Sequence, residues 1–248
     1  MSLPVHLVPS LGDPTPVVGD RVEVDGDEAH HAVAVRRTRV GERLVLTDGA
    51  GTSVTGTVDG TGKRRLTVVV DEVDVVPEPS PAVTVVQALP KGDRGELAVE
   101  VLTEVGVAEV VPWAASRSVA VWKGERAERS LARWRATSRE AAKQARRSWH
   151  PVVTPLASTA DVVRLVADAD LAVVLHEAAT SPLAAVAVPA SGRIVVVVGP
   201  EGGLSDDEVA ALVAAGAHGV RLGSEVLRTS TAGVVAVGAL LARTPRWS

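Results

Sequence analysis

The sequence predicts an α/β protein in which a small β-rich domain precedes a larger domain built on a mostly parallel sheet. Three observations carry this. Up to about residue 75 the chain reads as short, alternating, β-branched segments. From Ala82 onward, continuous apolar runs alternate with helical stretches, as strands buried on both faces of a parallel sheet do. Between them lies "VPEPSP", residues 76–81, whose three prolines cannot join a central strand. The expected division is therefore 1–75, a linker at 76–81, and 82–248.

In the first part, "RVEVDG", "RLVLTDG", "TSVTGTVDG" and "RLTVVVDEV" are the strands, some separated by Asp-Gly pairs suited to hairpin turns. Between the first two, "DEAHHAVAVRRTRVGE" reads as one helix carrying His30, His31, Arg36 and Arg37. Short strands at this spacing suggest a small barrel. In the second part, "AVTVVQAL" is a buried strand. "DRGELAVEVLTEVG" is a helix with Asp93 as N-cap and Glu96 three residues on, the pattern of a capping box. "AEVVPW" is a strand, and residues 125–149 form a long basic helix. "DLAVVLHE" is a strand ending at His176 and Glu177, and "RIVVVVG" is another. "SDDEVAALVAAG" is a helix capped by Ser205 with Glu208 at N3. "GVRLG" is a last strand, and residues 230–242 form an Ala/Val-rich helix.

Composition narrows the classes. With 248 residues, 46% of them apolar, the chain can bury a sizeable core. Five Trp and no Phe or Tyr leave Val, Leu and Ala to build it, and make stacking platforms for bases scarce. Arg outnumbers Lys 22 to 4, a ratio that fits a GC-rich coding bias. The absence of Cys excludes disulfides, thiolate metal sites and Cys nucleophiles. "MSLPVHLVPS" has neither a basic start nor a long apolar run, and no segment reaches membrane-spanning length. The expectation is a soluble, cytoplasmic protein with no membrane and no metal. Net charge is −4, yet residues 117–147 hold ten Lys/Arg against three Glu, a local excess of +7. Such asymmetry places a basic surface where an anion docks.

Ligands of open parallel sheets bind beyond the carboxyl ends of the strands. Three such ends stand out: Leu175, His176 and Glu177; "GPEGG", with Gly199, Pro200, Glu201, Gly202 and Gly203; and "LGSEVLRTSTA", residues 222–232. Glycine permits close backbone approach, and Ser205 then opens a helix whose first amides can hold a polar group. No Lys follows a glycine pair, so there is no Walker A loop, and the G-x-G-x-x-G fingerprint after a strand is missing. The residues by themselves point to a small polar, nucleoside-like ligand held by backbone groups.

"VVVVGPEGGLSDDEV" followed by "VRLGSEVLRTSTAGVVAVGAL" resembles the signature pair of the SPOUT methyltransferases. Within them the chain is similar to the small-subunit ribosomal RNA methyltransferase E family, which makes 3-methyluridine in 16S rRNA. "HHAVAVRRTRVGERLVLTDGAG" resembles that family's PUA-like β-barrel, and "LPKGDRGELAVEVLTEVGVAEVVPW" and "EAAKQARRSWHPVV" its middle segments. The resemblance implies a trefoil knot holding S-adenosylmethionine (AdoMet). Carried over by motif, Leu175, Gly199, Glu201, Gly202, Leu222, Gly223, Leu227 and Thr229 line it, and His176, Glu177, Pro200, Gly203 and Arg228 from the same strand ends complete the candidate cofactor site. On this reading the glycines let the backbone close on the cofactor. The chain departs from the pattern at Ser230, where Glu is usual, and at Val101, where Lys is common.

N3 of uridine is a poor nucleophile until its proton is lost, so a base or a cation near O2 and O4 would assist. Arg228 is the candidate cation; Glu201 and Glu177 are candidate bases. Arg126, Arg129 and Arg133, and again Arg139, Lys143 and Arg146, fall at helical spacing and make basic faces for RNA. Gln144 and Arg147 resemble the family's Glu-x-x-Gln-x-x-Arg-like segment and are expected near the target base, while His30, Arg36 and Arg37 are expected to extend the RNA surface onto the barrel. The family also implies a homodimer formed through the knot, with 16S rRNA or the 30S subunit as partner. The small-residue helix "AGVVAVGALLA" suits either that interface or a plain core.

Overall fold

The computed structural model describes residues 3–247; Met1 and Ser2, which open the N-terminal stretch, and Ser248 lie outside it. Backbone contacts divide the chain into two units, Met1–Glu78 with Lys143–His150, and Pro79–Ala142 with Pro151–Ser248.

The first unit is a five-stranded sheet of β1 (Val5–Leu7), β2 (Arg21–Asp25), β3 (Arg43–Thr47), β4 (Thr52–Thr61) and β5 (Arg65–Val75). The order is β1-β3-β4-β5-β2, antiparallel except where β1 runs parallel to β3. Alternation turns Leu44, Leu46, Val54, Val58, Leu66, Val68 and Val70 into one buried core. Two register shifts in the β4–β5 pair bend this hairpin. The expected helix is present as α1 (Gly26–His30) running straight into a π-helical turn, His31–Val35, with Ala29 and Ala32 buried. The strand β1 carries no alternation long enough to read from sequence.

Residues 143–150 belong to this unit, not to a helix of the second. The amide of Gly51 donates to the Ser148 carbonyl (2.9 Å) and that of His150 to the Gly49 carbonyl (2.8 Å). A Cβ on Gly51 would lie 2.7 Å from the Trp149 indole, so only glycine admits the ring here. The "DGAG" turn thus serves as the seat of Trp149.

The second unit has six parallel strands: β6 (Ala82–Ala88), β7 (Glu109–Trp113), β8 (Val152–Val153), β9 (Leu171–Leu175), β10 (Arg193–Val198) and β11 (His218–Val220). Their order is β11-β9-β10-β6-β7-β8. Its helices are α2 (Arg94–Val105), α3 (Glu125–Gln144), α4 (Thr159–Ala167), α5 (Asp206–Ala214) and α6 (Thr229–Leu241). Each face has its own core. Ile194, Val196 and Val198 of β10 join Leu102, Val237 and Leu240 from α2 and α6, while Val195 and Val197 join Val162 and Leu212 from α4 and α5. Cover on both sides is why these strands read as unbroken apolar runs.

Several expectations need correction. The Asp93 side chain makes no cap hydrogen bond, and Glu96 reaches Arg133 instead (3.2 Å), so α2 has no capping box. The box at Ser205 and Glu208 is formed. Helix α3 stops at Gln144, short of Trp149, because the chain turns with Arg146 at φ 52° to seat Trp149. Arg146 therefore cannot share a helical face with Arg139. The last strand lies at His218–Val220, earlier than "GVRLG", and β8 and α4 were not anticipated.

Candidate functional site

Segments beyond five strand ends of the second unit and the start of α6 enclose one cavity of about 620 Å³. From β9 come Leu175, His176 and Glu177; from β10, Gly199, Pro200, Glu201, Gly202 and Gly203; after β11, Leu222, Gly223, Leu227 and Arg228; and Thr229 opens α6. Each cofactor candidate drawn from the sequence lies on this wall. Arg94, at the start of α2, and Arg117, beyond β7, line it as well and were missed. Both sit past carboxyl ends of parallel strands, so the rule that selected the other loops would have found them had it been applied to every strand.

The loop after β10 is fixed from three sides. Gly203 has φ 73° and donates its amide to the Pro200 carbonyl (3.0 Å), closing a turn. A Cβ on Gly202 would meet the Arg117 carbonyl at 3.1 Å and the Arg117 Cβ at 3.2 Å. Arg117 Nη1 also donates to the Leu204 carbonyl (3.0 Å). The expectation that these glycines serve approach to a ligand is thus incomplete: Gly202 is also needed for the approach of Arg117. Oε1 of Glu201 accepts from the Lys91 amide (3.2 Å) and lies 3.7 Å from Arg94 Nη1.

Below this loop, the buried Glu208 joins two walls of the cavity. Its carboxylate accepts from the Ser116 amide (2.7 Å) and hydroxyl (2.9 Å) and from the Ser205 amide (3.0 Å) and hydroxyl (3.1 Å). Burial pushes the carboxyl up, but the Ser116 and Ser205 donors outweigh it and hold the group below the usual glutamate range. The cap box was legible; its reach to Ser116 was not.

Arg228 is the N-cap residue of α6, exposed, and makes no ion pair among the described residues. Ser230, the departure from the usual Glu, is buried in the first turn of α6. At the end of β6 the buried Gln87 donates to the Thr229 carbonyl (3.3 Å), while its Oε1 has no partner among the described residues. The amides of Leu222, Gly223 and Leu227 likewise have no internal acceptor among the described residues. Backbone donors left open along a cavity wall fit a polar ligand. Beyond the cavity, the loop after β9 is tied to the chain after β11: Arg221 donates to Ser181 and Leu183 to Arg221 (both 2.9 Å).

The RNA candidates are scattered. His30, Arg36 and Arg37 are exposed on the first unit, with Arg37 at φ 60°. Arg139 is exposed on α3, and Gln144 and Arg146 are exposed near its end; Arg147 is half-buried. Lys143 is a correction to the basic face. Its side chain is only 9% exposed, and Nζ lies 3.4 Å from Glu28 Oε1, which also meets His6 Nδ1 at 2.9 Å. Burial would raise the Glu28 carboxyl, but His6 and Lys143 bring it below its usual value. Lys143 is a structural partner in that cluster. The C-terminal helix, offered as an interface or a core, puts Ala232, Ala236, Val237, Leu240 and Leu241 into its own unit's core.

The family profile of an RNA methyltransferase domain matches residues 77–241, and that of an RNA methyltransferase PUA domain matches residues 24–71. The chain is 47% identical to the ribosomal RNA small subunit methyltransferase E of Mycobacterium tuberculosis over 239 residues, 95% of this chain and 91% of the relative. The chain belongs to the small-subunit ribosomal RNA methyltransferase E family. The Bacillus subtilis member is 29% identical and covers 88% of each chain. Among solved structures, the Neisseria gonorrhoeae family member bound to S-adenosyl methionine superposes with a TM-score of 0.85 at 27% identity, over 98% of both chains. The fold is that of the family: a PUA-like domain followed by a SPOUT methyltransferase domain on a parallel sheet.

Proposed function

We propose that this family member transfers the methyl group of AdoMet to N3 of a uridine in the 16S rRNA of the small ribosomal subunit. The observation that carries the reading is the cavity of about 620 Å³ at the carboxyl edge of the sheet, walled by Gly199–Gly203 and the residues before α6. Its size suits a nucleoside-sized ligand. Leu175, Val198, Leu222 and Ala232 supply apolar wall for an adenine ring, and the open amides of Leu222, Gly223 and Leu227 supply donors. Bound AdoMet brings a methyl group already activated on a sulfonium, so alignment of the acceptor is the main task left to the protein.

Arg228, unpaired and beside the cavity mouth, is the group best placed to stabilise negative charge spread onto uracil O2 and O4 as N3 loses its proton. Arg117 is held to the Leu204 carbonyl and serves the loop first. Glu201, engaged with Lys91 and Arg94, is read as a clasp between two walls and not as a general base. RNA is met by exposed arginines, Arg36 and Arg37 on the PUA-like unit and Arg126 and Arg139 on α3. The working form is taken as a cytoplasmic homodimer, as the family resemblance implies. No helix among the described residues is long and apolar enough to cross a membrane.

The test is methyl transfer from labelled AdoMet to 30S subunits lacking 16S rRNA 3-methyluridine, with naked 16S rRNA alongside and product nucleosides resolved by mass spectrometry. Label in 3-methyluridine supports the reading. Label in a 2′-O-methyl nucleoside overturns the choice of atom, and no label on either RNA overturns the activity.

A further inference from the structure

The loop after β6 and the first turn of α2, residues 89–96, separate two cavities of the second unit. On one side Lys91 and Arg94 meet Glu201. On the other, Leu89, Gly92 and Gly95 line a separate cleft of about 400 Å³, closed by Trp122, Trp134 and the first turns of α3. That volume lies within the range of small-ligand sites, about 300–1,000 Å³.

The cleft combines two chemistries. Its floor is aromatic. Trp134 is 3% exposed and pressed against α2, where a Cβ on Gly95 would lie 2.8 Å from its indole. Trp122 stands edge-on to it, with ring centroids 5.0 Å apart and planes at 79°, and is half-buried. Its rim is cationic. Arg126, Arg129 and Arg133 line the cleft at i, i+3 and i+7 of α3. Arg129 and Arg133 hold only exposed pairs, with Glu125 (3.5 Å) and Glu96 (3.2 Å), and Arg126 has no ion-pair partner among the described residues. Exposed pairs of this kind are weak and yield to a stronger anion. In a chain with five Trp and no other large aromatic side chain, two of the five face one open cleft under three arginines.

We propose that this cleft is a nucleotide subsite, holding one unpaired nucleotide of the RNA strand next to the one that enters the cofactor cavity. The base stacks on Trp122, and its phosphate pairs with Arg126. Aromatic rings accept any base by its face, and guanidinium groups match phosphate in geometry and charge. An enzyme that alters N3, on the pairing edge of uracil, must act on a base out of its pair, and in a single-stranded loop the adjacent base is also open to stacking on an aromatic side chain. The shared loop wall puts the second cleft beside the first. The inference rests on RNA being the substrate.

The experiment measures anisotropy of a fluorescein-labelled single-stranded oligouridylate with the full chain, and in parallel AdoMet binding and methyl transfer to rRNA. Trp122→Ala should weaken the oligonucleotide Kd about tenfold, while Trp122→Phe, which keeps a ring to stack on, should stay within about twofold of wild type. Arg126→Ala should weaken binding and lower the slope of log Kd against log salt by about one. The AdoMet Kd should be unchanged in all three. The subsite is overturned if the wild type does not bind the oligonucleotide. It is also overturned if Trp122→Ala binds as tightly as wild type, or if Trp122→Phe falls as far as Trp122→Ala. A wild-type protein that methylates rRNA while Trp122→Ala loses nothing overturns the subsite alone. One that neither binds nor methylates RNA overturns the proposed function with it.

Discussion

Replacing Glu208 by Ala should loosen the cofactor cavity from below. The wild-type carboxylate is 5% exposed and accepts from Ser116 and Ser205 at four distances between 2.7 and 3.1 Å. Hydrogen bonds to a charged group contribute about 1.5–3 kcal/mol each in net terms, and a helix cap about 1 kcal/mol. The four share one acceptor and Ser116 is near water, so the sum is far below additive; a loss of about 3 kcal/mol is expected. For a chain of this size that lowers Tm by about 6–12 °C. The damage should also reach the ligand. Ser116 precedes Arg117, whose main chain lies against Gly202 and whose Nη1 holds the Leu204 carbonyl, so the AdoMet Kd should weaken about tenfold. Calorimetry gives Tm, and titration calorimetry with AdoMet gives Kd. Glu208→Gln should fall between the two. Because the folded carboxyl titrates below its ordinary value of 4.5, its contribution is complete above that pH and is lost as pH falls through the lower folded value. Stability of the Gln variant should therefore vary less with acid. A Glu208→Ala protein with Tm within about 2 °C of wild type and an unchanged AdoMet Kd would refute the reasoning.

Two further outcomes follow from the geometry. If Glu201 clasps the Lys91 amide, Glu201→Gln should keep kcat within about threefold, while Glu201→Ala should lose at least about tenfold; an equal, large loss in both, read in single-turnover methyl transfer, would restore the base. Burial, with Arg147 and Lys143 nearby, brings the His150 imidazole from 6.5 to about 4. Above pH 6.5 it is neutral folded or unfolded and contributes nothing to the pH dependence. Between 6.5 and 4 only the unfolded chain takes the proton, so stability should fall with pH across that window, by about 2 kcal/mol at most after allowance for partial exposure. Urea denaturation from pH 7 to 4.5 should show a slope that flattens in His150→Asn.

The sequence by itself determined the local periodicities and the loops at strand ends. Unbroken valine runs such as "RIVVVV" announced strands covered on both faces, since each alternate residue feeds a different core. Alternation in "RLTVVVDEV" announced a strand with one buried side, and the Ser205–Glu208 spacing announced a cap. The glycine-rich ends carried the cofactor candidates, because backbone approach depends on local residue type alone. Tertiary structure decided what depends on partners far along the chain. It placed Arg117 beside Gly202 and linked Ser116 to Glu208, and no spacing encodes either contact. It removed the box from Asp93 and Glu96, because Arg133 offered Glu96 an opposite charge. It ended α3 at Gln144, because Trp149 packs against Gly51 and the chain must turn to bring it there. It took Lys143 out of the basic face and paired it with Glu28, a carboxylate more than a hundred residues away. Helical spacing states which side chains share a face; only packing states which of them are already spoken for.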